Sequence, residues 1–531
     1  MARPTSVLYD VIGPIMRGPS SSHTAGPYHI GRLVRSLLAD DPKEAVFTFD
    51  PSGSFAEVYR QQGSDLGFVA GILGWEITDE RFPRALEAAA VEGVHVRFEV
   101  GRLPGAEHPN VVQIVVTGRD NSRLEVVGQS VGGGSVILTN VQGWPMALTG
   151  DAYDVLVEMV AEVAPAVQPL VARWAGVLQE LRRGDVVFLH GRCLEPVSQT
   201  ARHQVQSIPG VRGLWVAEPL RPVPHGRPLF GSAAEMNAWA EQSGCSLGQA
   251  VLAYEAALLR MPPESVMQEM VRRYRVMRAA VERGLKGEAR GLRLLAPSAE
   301  MVFRAEADGR LAVGGLHARA AARALAVMHV NASGGVVCAA PTAGSAGVLP
   351  AIAVTLADEL GVDERGVALA LLAAGGIGLV VAWRATFAAE VAGCQVEIGA
   401  AGAMAAAAVA EAAGATAAQA THAAAIAFQN SMGSVCDLVQ GRVEIPCHTR
   451  NAVAASSAFV CADLILGGYA NPIPLDETVD AVLAVGRMLP RELRCTALGG
   501  LAQTPSALAL ARDGPRASDY GAAAPSRGSG Q

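Results

Sequence analysis

The sequence predicts an α+β protein: an N-terminal αβ domain followed by a mostly α-helical, Ala/Gly-rich domain. Three observations carry this. Alternation of apolar and polar residues is clearest in the first part of the chain, in Val94-His95-Val96-Arg97-Phe98-Glu99-Val100 and partly in Val111 to Val116. Residues 350–428 form a succession of Ala-rich runs separated by Gly and nearly free of charge, as expected for helices packed on most faces. Half of the 531 residues are hydrophobic, only 5% are aromatic and 58 are Gly, so the core is expected to close-pack through small side chains.

At roughly 150 residues per domain the length suggests about three units. Residues 1–150 mix Gly-punctuated turns with strand patterns and read as the αβ domain. Residues 151–225 read as a small β-α-β regulatory segment and linker. There a helical stretch from Ala152 to Leu181 leads into the strand Asp185-Val186-Val187-Phe188-Leu189, a helix, and Gly213-Leu214-Trp215-Val216, and Pro219 to Pro228 serves as linker. Residues 226–512 read as the helical domain, with one helix opening at Met261-Pro262-Pro263-Glu264-Ser265 and another at Ala320 to Met328. The Gly/Ser/Pro/Ala-rich residues 513–531 read as a disordered tail.

Composition excludes several functions. A net charge of −7, without any basic run interleaved with aromatics, argues against nucleic acid or an anionic membrane as partner. Asp10 and Pro14 interrupt the only apolar run near the N-terminus, which disfavours a signal peptide, so a cytoplasmic, reducing setting is expected. Gly366 to Trp383 is 18 residues without a charge, the lower limit of a membrane span. With Gly375-Gly376-Ile377-Gly378 in its middle it reads as a buried core helix.

Three stretches could carry chemistry. Gly18-Pro19-Ser20-Ser21-Ser22-His23-Thr24-Ala25-Gly26-Pro27 crowds four hydroxyls and an imidazole ahead of a helix marked by Ile30, Leu33, Val34, Leu37 and Leu38. Free amides at such a helix start suit a carboxylate or phosphate, though an ordinary Ser/Thr cap has the same composition. A second Gly-rich loop, Pro341-Thr342-Ala343-Gly344-Ser345-Ala346-Gly347, also precedes a helix and lacks the Lys of a phosphate-binding P-loop. The third is cysteine-based: Gly393-Cys394-Gln395-Val396-Glu397, Ser434-Val435-Cys436-Asp437 and Glu444-Ile445-Pro446-Cys447-His448. No C-x-x-C occurs, which disfavours a zinc ribbon. Three thiolates suit an iron–sulfur cluster with one iron left open, while buried structural Cys is the bland alternative, and Cys193, Cys245, Cys338 and Cys461 read as core fillers.

Together these stretches resemble the iron–sulfur-dependent bacterial L-serine dehydratase (L-serine ammonia-lyase) family in its single-chain form. The Gly18–Pro27 loop, His108-Pro109-Asn110 and Ser130-Val131-Gly132-Gly133-Gly134 resemble its β part. Asn331, the 340–347 loop, Gly393-Cys394-Gln395, Ile445-Pro446-Cys447 with Arg450-Asn451, and Gly499-Gly500-Leu501-Ala502 resemble its α part.

The resemblance implies a [4Fe-4S] cluster held by Cys394, Cys436 and Cys447, deamination of L-serine to pyruvate and ammonia, and an amino acid as small-molecule partner of an expected homo-oligomer. It implies Ser20, Ser21, Ser22 and Thr24, with Thr342, Ala343, Gly344 and Ser345, as holders of the substrate carboxylate and amine. His108 and Asn110 become orienting residues and His23 a candidate proton acceptor. Cys495, just before Gly499-Gly500, becomes a possible fourth ligand. One departure stands out: the family's Gly-x-Gly-His-x-Thr-Asp segment corresponds to Tyr59-Arg60-Gln61-Gln62-Gly63-Ser64-Asp65, with Gln62 at the His position. An amide cannot take a proton at neutral pH, so another group is the base, the substrate differs, or the protein is catalytically idle. Asp437 is also followed by Leu438 where the family has Pro.

A pyridoxal-phosphate dehydratase would perform the same net reaction but needs a lysine in a dry pocket. Lys43 and Lys286 are the only lysines, both among charged neighbours, so no pyridoxal phosphate is expected. Threonine deamination, cysteine desulfidation and a non-catalytic, cluster-bearing amino-acid-binding protein stay open as alternatives.

Overall fold

A computed structural model describes residues 4–510; the predicted tail at 513–531 lies outside the described residues. The architecture is α+β, with a strand-rich N-terminal part and a helical C-terminal part.

The first part is built on a six-stranded sheet: β1 (Pro42–Phe49), β2 (His95–Val100), β3 (Val111–Gly118), β4 (Arg123–Gly132), β5 (Ser135–Val141) and β6 (Trp144–Leu148). Their order is β2-β1-β3-β4-β5-β6, antiparallel except for the parallel pair β1–β2. Helix α1 (Gly26–Leu38) packs on β4 and β5 through Ile30, Leu33, Val34, Leu37 and Leu38, all buried at the predicted spacing. The alternating run around Val94 is an edge strand whose Val96 and Phe98 are half-buried against the core, Phe98 stacked on Phe47 at 5.0 Å, while His95, Arg97 and Glu99 are exposed.

The middle segment corrects the expected helix from Ala152 to Leu181. Tyr153–Val160 is strand β7, Ala164–Ala172 a short helix, and Val177–Arg183 strand β8. β9 (Val186–Cys193), the helix Gln199–Gln206 and β10 (Val211–Ala217) follow, giving a βαββαβ unit with the antiparallel order β10-β7-β9-β8. The reason is burial. As a central strand β7 is covered on both faces, so Asp154, Val155, Leu156 and Val157 are all buried and the period-2 signal is lost. Val155, Val157, Val167, Val187, Leu189 and Val205 belong to a small core of this unit's own.

The helical part contains, among others, α2 (Pro263–Leu285), α3 (Leu316–Ala332), α4 (Val348–Leu360), α5 (Glu364–Arg384), α6 (Ile398–Ala412), α7 (Ala417–Ser431) and α8 (Cys447–Leu466). Among the described residues, α5 is the one helix long and apolar enough to cross a membrane, and 78% of its apolar window is buried inside the protein. Its glycines admit the N-terminal segment: a Cβ at Gly375 would stand 2.3 Å from Val7, and one at Gly378 2.1 Å from Val11. Close packing through small residues thus brings the first residues of the chain onto the central helix.

Two short strands complete the join. Ile15–Arg17 pairs antiparallel with Val336–Cys338, Ile15 opposite Cys338 and Arg17 opposite Val336. The hydroxyl loop leaves this ribbon at its Val336 end, where the Gly18 amide donates to Gly335 O at 3.1 Å, and the Gly-rich loop leaves at the other end, where the Gly13 amide donates to Ala339 O at 2.8 Å.

Candidate active site

The loop after Arg17 is anchored first by close approach. A Cβ on Gly18 would lie 2.0 Å from the Asn331 carbonyl oxygen, while Asn331 Nδ2 donates to Pro19 O at 3.1 Å. Ser20 Oγ then accepts the His23 amide at 3.1 Å and Ser21–Ala25 forms a wide turn that runs into α1. Thr24 Oγ1 donates to Gln62 O at 2.7 Å, and Ser64 Oγ donates to His23 O at 2.6 Å. Ser20, Ser21, Ser22, His23 and Thr24 are all buried, and the side chains of Ser20, Ser22, His23 and Thr24 have hydrogen-bond partners inside the protein. His23 lies edge-on to Phe55, with Nδ1 3.0 Å from Ser22 Oγ and Nε2 2.8 Å from Ser54 Oγ. Burial pushes its pKa down to about 4, partly opposed by the Glu390 carboxylate.

The cysteines arrive from four separate places. Cys394 follows Gly393 in a short turn ahead of α6, Cys436 lies in the loop after α7, Cys447 opens α8, and Cys495 lies near the end of the described chain. All are free thiols, the first three buried and gathered with Met328, Ile398, Leu438 and Val443. Cys394 Sγ, Cys436 Sγ and a Glu397 carboxylate oxygen lie within 4.8 Å of one another. The neighbouring Cys394 and Cys495 thiols, with burial, raise the pKa of Cys436; Cys447 is raised by burial and by the neighbouring thiols. Buried thiols packed this tightly are poor thiolates by themselves, and a bound cation reverses that balance. The donor set therefore fits a thiolate-held metal cluster.

Polar anchors hold the walls. Arg450 donates to Val435 O at 2.7 Å and pairs with Asp437 at 2.9 Å, and Asp437 accepts the Leu501 amide at 2.8 Å. Arg450 also approaches Cys394 Sγ at 3.9 Å. The Glu444 carboxylate accepts backbone amides of Arg293, Leu294 and Leu295, fixing the turn that presents Cys447.

One pocket joins these parts. It is lined by Ser20, Ser21, Ser22 and His23, by Gln62, Gly132, Gly133 and Gly344, by Glu390 and Glu397, and by Cys436, Cys447 and Cys495. Of the 342–345 stretch, Gly344 faces it. Thr342 and Ser345 are fully buried behind, bonded to each other at 3.1 Å, and Thr342 Oγ1 donates to Glu397 at 2.6 Å. Asn451 clamps this loop, accepting the Gly347 amide and donating to Gly344 O. Burial pushes the Glu397 carboxyl up to about 7. His108 and Asn110 stand outside the lining: His108 Nδ1 accepts the Asn110 amide at 3.1 Å, and Pro109 O between them accepts the Ser54 amide at 2.7 Å. Gln62 Nε2 donates to Gly441 O at 3.0 Å. Lys43 and Lys286 are exposed and lie elsewhere.

Sequence reasoning assigned no role to Ser54, Glu390 or Glu397. Glu397 stands three positions after Cys394 and Glu390 four before it, and that proximity was the available signal. Ser54 follows a Gly turn and carries no local mark.

Comparison with known proteins follows the same division. Residues 242–502 match the family model described as serine dehydratase alpha chain. The chain is 37% identical over 278 residues to a probable L-serine dehydratase alpha chain of Bacillus subtilis, covering 52% of this chain and 93% of that one. It is 38% identical over 150 residues to the probable beta chain of the same organism, covering 28% of this chain and 66% of that one. It is 28% identical over 505 residues to the L-serine dehydratase TdcG of Escherichia coli, covering 91% of this chain and 96% of that one.

Proposed function

The chain belongs to the L-serine dehydratase family, with beta-type and alpha-type parts fused in one polypeptide, and on that premise we propose that it deaminates L-serine to pyruvate and ammonia by β-elimination of water. The observation that carries the proposal is the shared pocket, where a hydroxyl-rich loop with a buried imidazole faces the thiols of Cys436, Cys447 and Cys495, with Cys394 next to Cys436 outside the lining.

Cys394, Cys436 and Cys447 would hold a [4Fe-4S] cluster, with Cys495 at its edge. When bound, that group supplies a Lewis acid that stabilises the charge developing on the departing hydroxyl. The residues of this chain do the rest. Ser20 and Ser21, with the backbone at Ser22 and Gly344, bind the substrate carboxylate and amine. Thr24, Thr342, Ala343, Ser345, His108 and Asn110 hold those groups in place from behind. His23 takes the Cα proton. The electron pair of that C–H bond becomes the Cα–Cβ double bond as the hydroxyl leaves with the C–O pair; the proton taken up by His23 returns to it to give water, and the aminoacrylate tautomerises and, taking up water, hydrolyses to pyruvate and ammonia. Phe387, Leu438 and Val443 form the apolar wall that keeps bulk water from the base. The enzyme so described is cytoplasmic and acts as a homo-oligomer.

Gln62 favours a second reading. An amide tied to Gly441 O takes no proton, and a cluster-bearing protein that binds an amino acid without turning it over would tolerate it. Anaerobic purification with iron and sulfide analysis, followed by assay with serine, threonine and cysteine for keto acid and sulfide, separates the readings. Keto acid from serine is the expected result. Sulfide from cysteine alone, ligand binding without product, or turnover by a colourless, metal-free protein would each overturn the proposal.

A further inference from the structure

His23 sits in a chain of hydroxyl groups whose donors and acceptors can be counted. Ser22 Oγ donates to Glu390 Oε1 at 3.1 Å, across 368 residues of sequence. A hydroxyl has one proton, so with that proton on Glu390 the Ser22 oxygen is left as an acceptor. Its two other neighbours are Ser20 Oγ at 3.3 Å and His23 Nδ1 at 3.0 Å. Nδ1 must therefore carry the hydrogen. In a neutral imidazole the other nitrogen is then bare. Nε2 lies 2.8 Å from Ser54 Oγ, which has a proton to give it, and every position in the chain is satisfied.

We infer that Glu390 is a positioning residue that acts through Ser22 to hold His23 as the Nδ1–H tautomer, leaving Nε2 as the proton acceptor beside Ser54. The inference rests on the reading of this pocket as a serine-deaminating site. It supplies what Gln62 lacks. On deprotonation of substrate the Cα proton moves to Nε2, directly or across Ser54 Oγ, and the C–H electron pair stays with the substrate as the new double bond. The imidazolium so formed keeps its Nδ1–H on the Ser22–Glu390 pair, whose carboxylate offsets the positive charge. Burial alone would make this imidazole a weak base. Among the described residues Glu390 is the charged group that bears on it, and Ser22, Ser54 and Phe55 are its other neighbours.

The test uses the full-length, cluster-loaded protein with ring-15N-labelled histidine. The His23 signals are identified by their loss in His23→Asn. The wild type is expected to show hydrogen on Nδ1 and none on Nε2 at neutral pH. In Glu390→Gln the amide can donate to Ser22 Oγ, which turns the chain around and puts the hydrogen on Nε2. On serine that variant is expected to lose kcat by about 100-fold or more, with KM within about threefold of wild type and cluster absorbance unchanged. The acid limb of its kcat/KM profile should move to lower pH, because a nearby negative charge that favours the imidazolium is gone. Hydrogen on Nε2 in the wild type, or a Glu390→Gln enzyme with wild-type kcat and pH profile, would overturn the inference. Should Glu390→Gln fail to load its cluster, Ser22→Ala breaks the same chain with the carboxylate in place, and Ser22→Thr restores the hydroxyl. Wild-type turnover in Ser22→Ala overturns the inference, and loss there with recovery in Ser22→Thr supports it. A wild type that yields no pyruvate sinks the serine reading, while the nitrogen signals still decide the tautomer.

Discussion

The Cys495 amide donates to the Cys436 carbonyl at 2.9 Å, and the Cys436 amide in turn donates to Leu493 O at 2.8 Å, so two thiols 59 positions apart are held side by side. Cys495 has φ of 63°, a left-handed conformation that costs a residue other than Gly about 1–2 kcal/mol. The two backbone bonds hold it there, at the pocket rim. The thiols are expected to divide into two classes. Alanine at Cys394, Cys436 or Cys447 should abolish bound iron and sulfide, whereas Cys495→Ala should keep both under argon and lose its absorbance faster in air. Iron and sulfide per chain, with the decay of visible absorbance after exposure to air, checks this.

His23 and Gln62 are both pocket residues, and only one can accept a proton. His23→Ala should lower kcat on serine by about 10²–10⁴-fold, the usual contribution of a general base, with the cluster absorbance intact. Adding Gln62→His to that variant supplies an imidazole from a second lining position, one nitrogen replacing the amide donor to Gly441 O and the other free to take a proton. Part of the lost activity should return. Steady-state kinetics on the single and double variants measures it.

The parts of this site visible in the sequence are those whose chemistry is concentrated in a few neighbouring residues. The Ser20–Thr24 loop and the surroundings of Cys394, Cys436 and Cys447 each carry enough polar or thiol groups in one place to be recognised, and Ser20 to His23, Glu397, Cys436 and Cys447 line one pocket. Ser54 and Glu390 are single residues of ordinary type. Their roles come from two long-range bonds to one loop, to His23 Nε2 and Ser22 Oγ, which no local pattern encodes. The α+β division was legible for a related reason: charge-free Ala-rich helices and an alternating sheet differ in period. Where burial on both faces erases the period, as in β7, a central strand looked like a helix.

Gly18 is a joint between the two halves of the chain. Its missing Cβ leaves room for the Asn331 carbonyl, whose oxygen would stand 2.0 Å away, and for Asn331 Oδ1 at 2.4 Å, a side chain held by its bond to Pro19 O. Gly18→Ala should destabilise the protein by at least about 2 kcal/mol, at the upper part of the range for overpacking, since neither side can rotate away. Because the hydroxyl loop begins here, KM for serine should rise as well. Urea denaturation of the cluster-loaded protein, with KM on the folded fraction, tests both effects.

A buried histidine pair makes stability depend on pH. His329 on α3 and His448 on α8 have ring centroids 5.2 Å apart, and His329 Nδ1 is buried without a hydrogen-bond partner. Burial pushes His329 down to about 4 from its ordinary 6.5. The folded protein therefore binds this proton less readily than the unfolded chain. The stability concerned is fully present above pH 6.5 and is lost progressively as pH falls from there towards 4. At about 1.4 kcal/mol per unit the group accounts for roughly 3 kcal/mol of acid sensitivity. His329→Leu, of similar bulk and without charge, should lessen the acid slope between pH 6.5 and pH 4 by its own share, leaving that of the buried His23, His29 and His448, while changing little at pH 8. Denaturation midpoints across that range give the answer. An unchanged acid slope would mean that the proton responsible binds elsewhere.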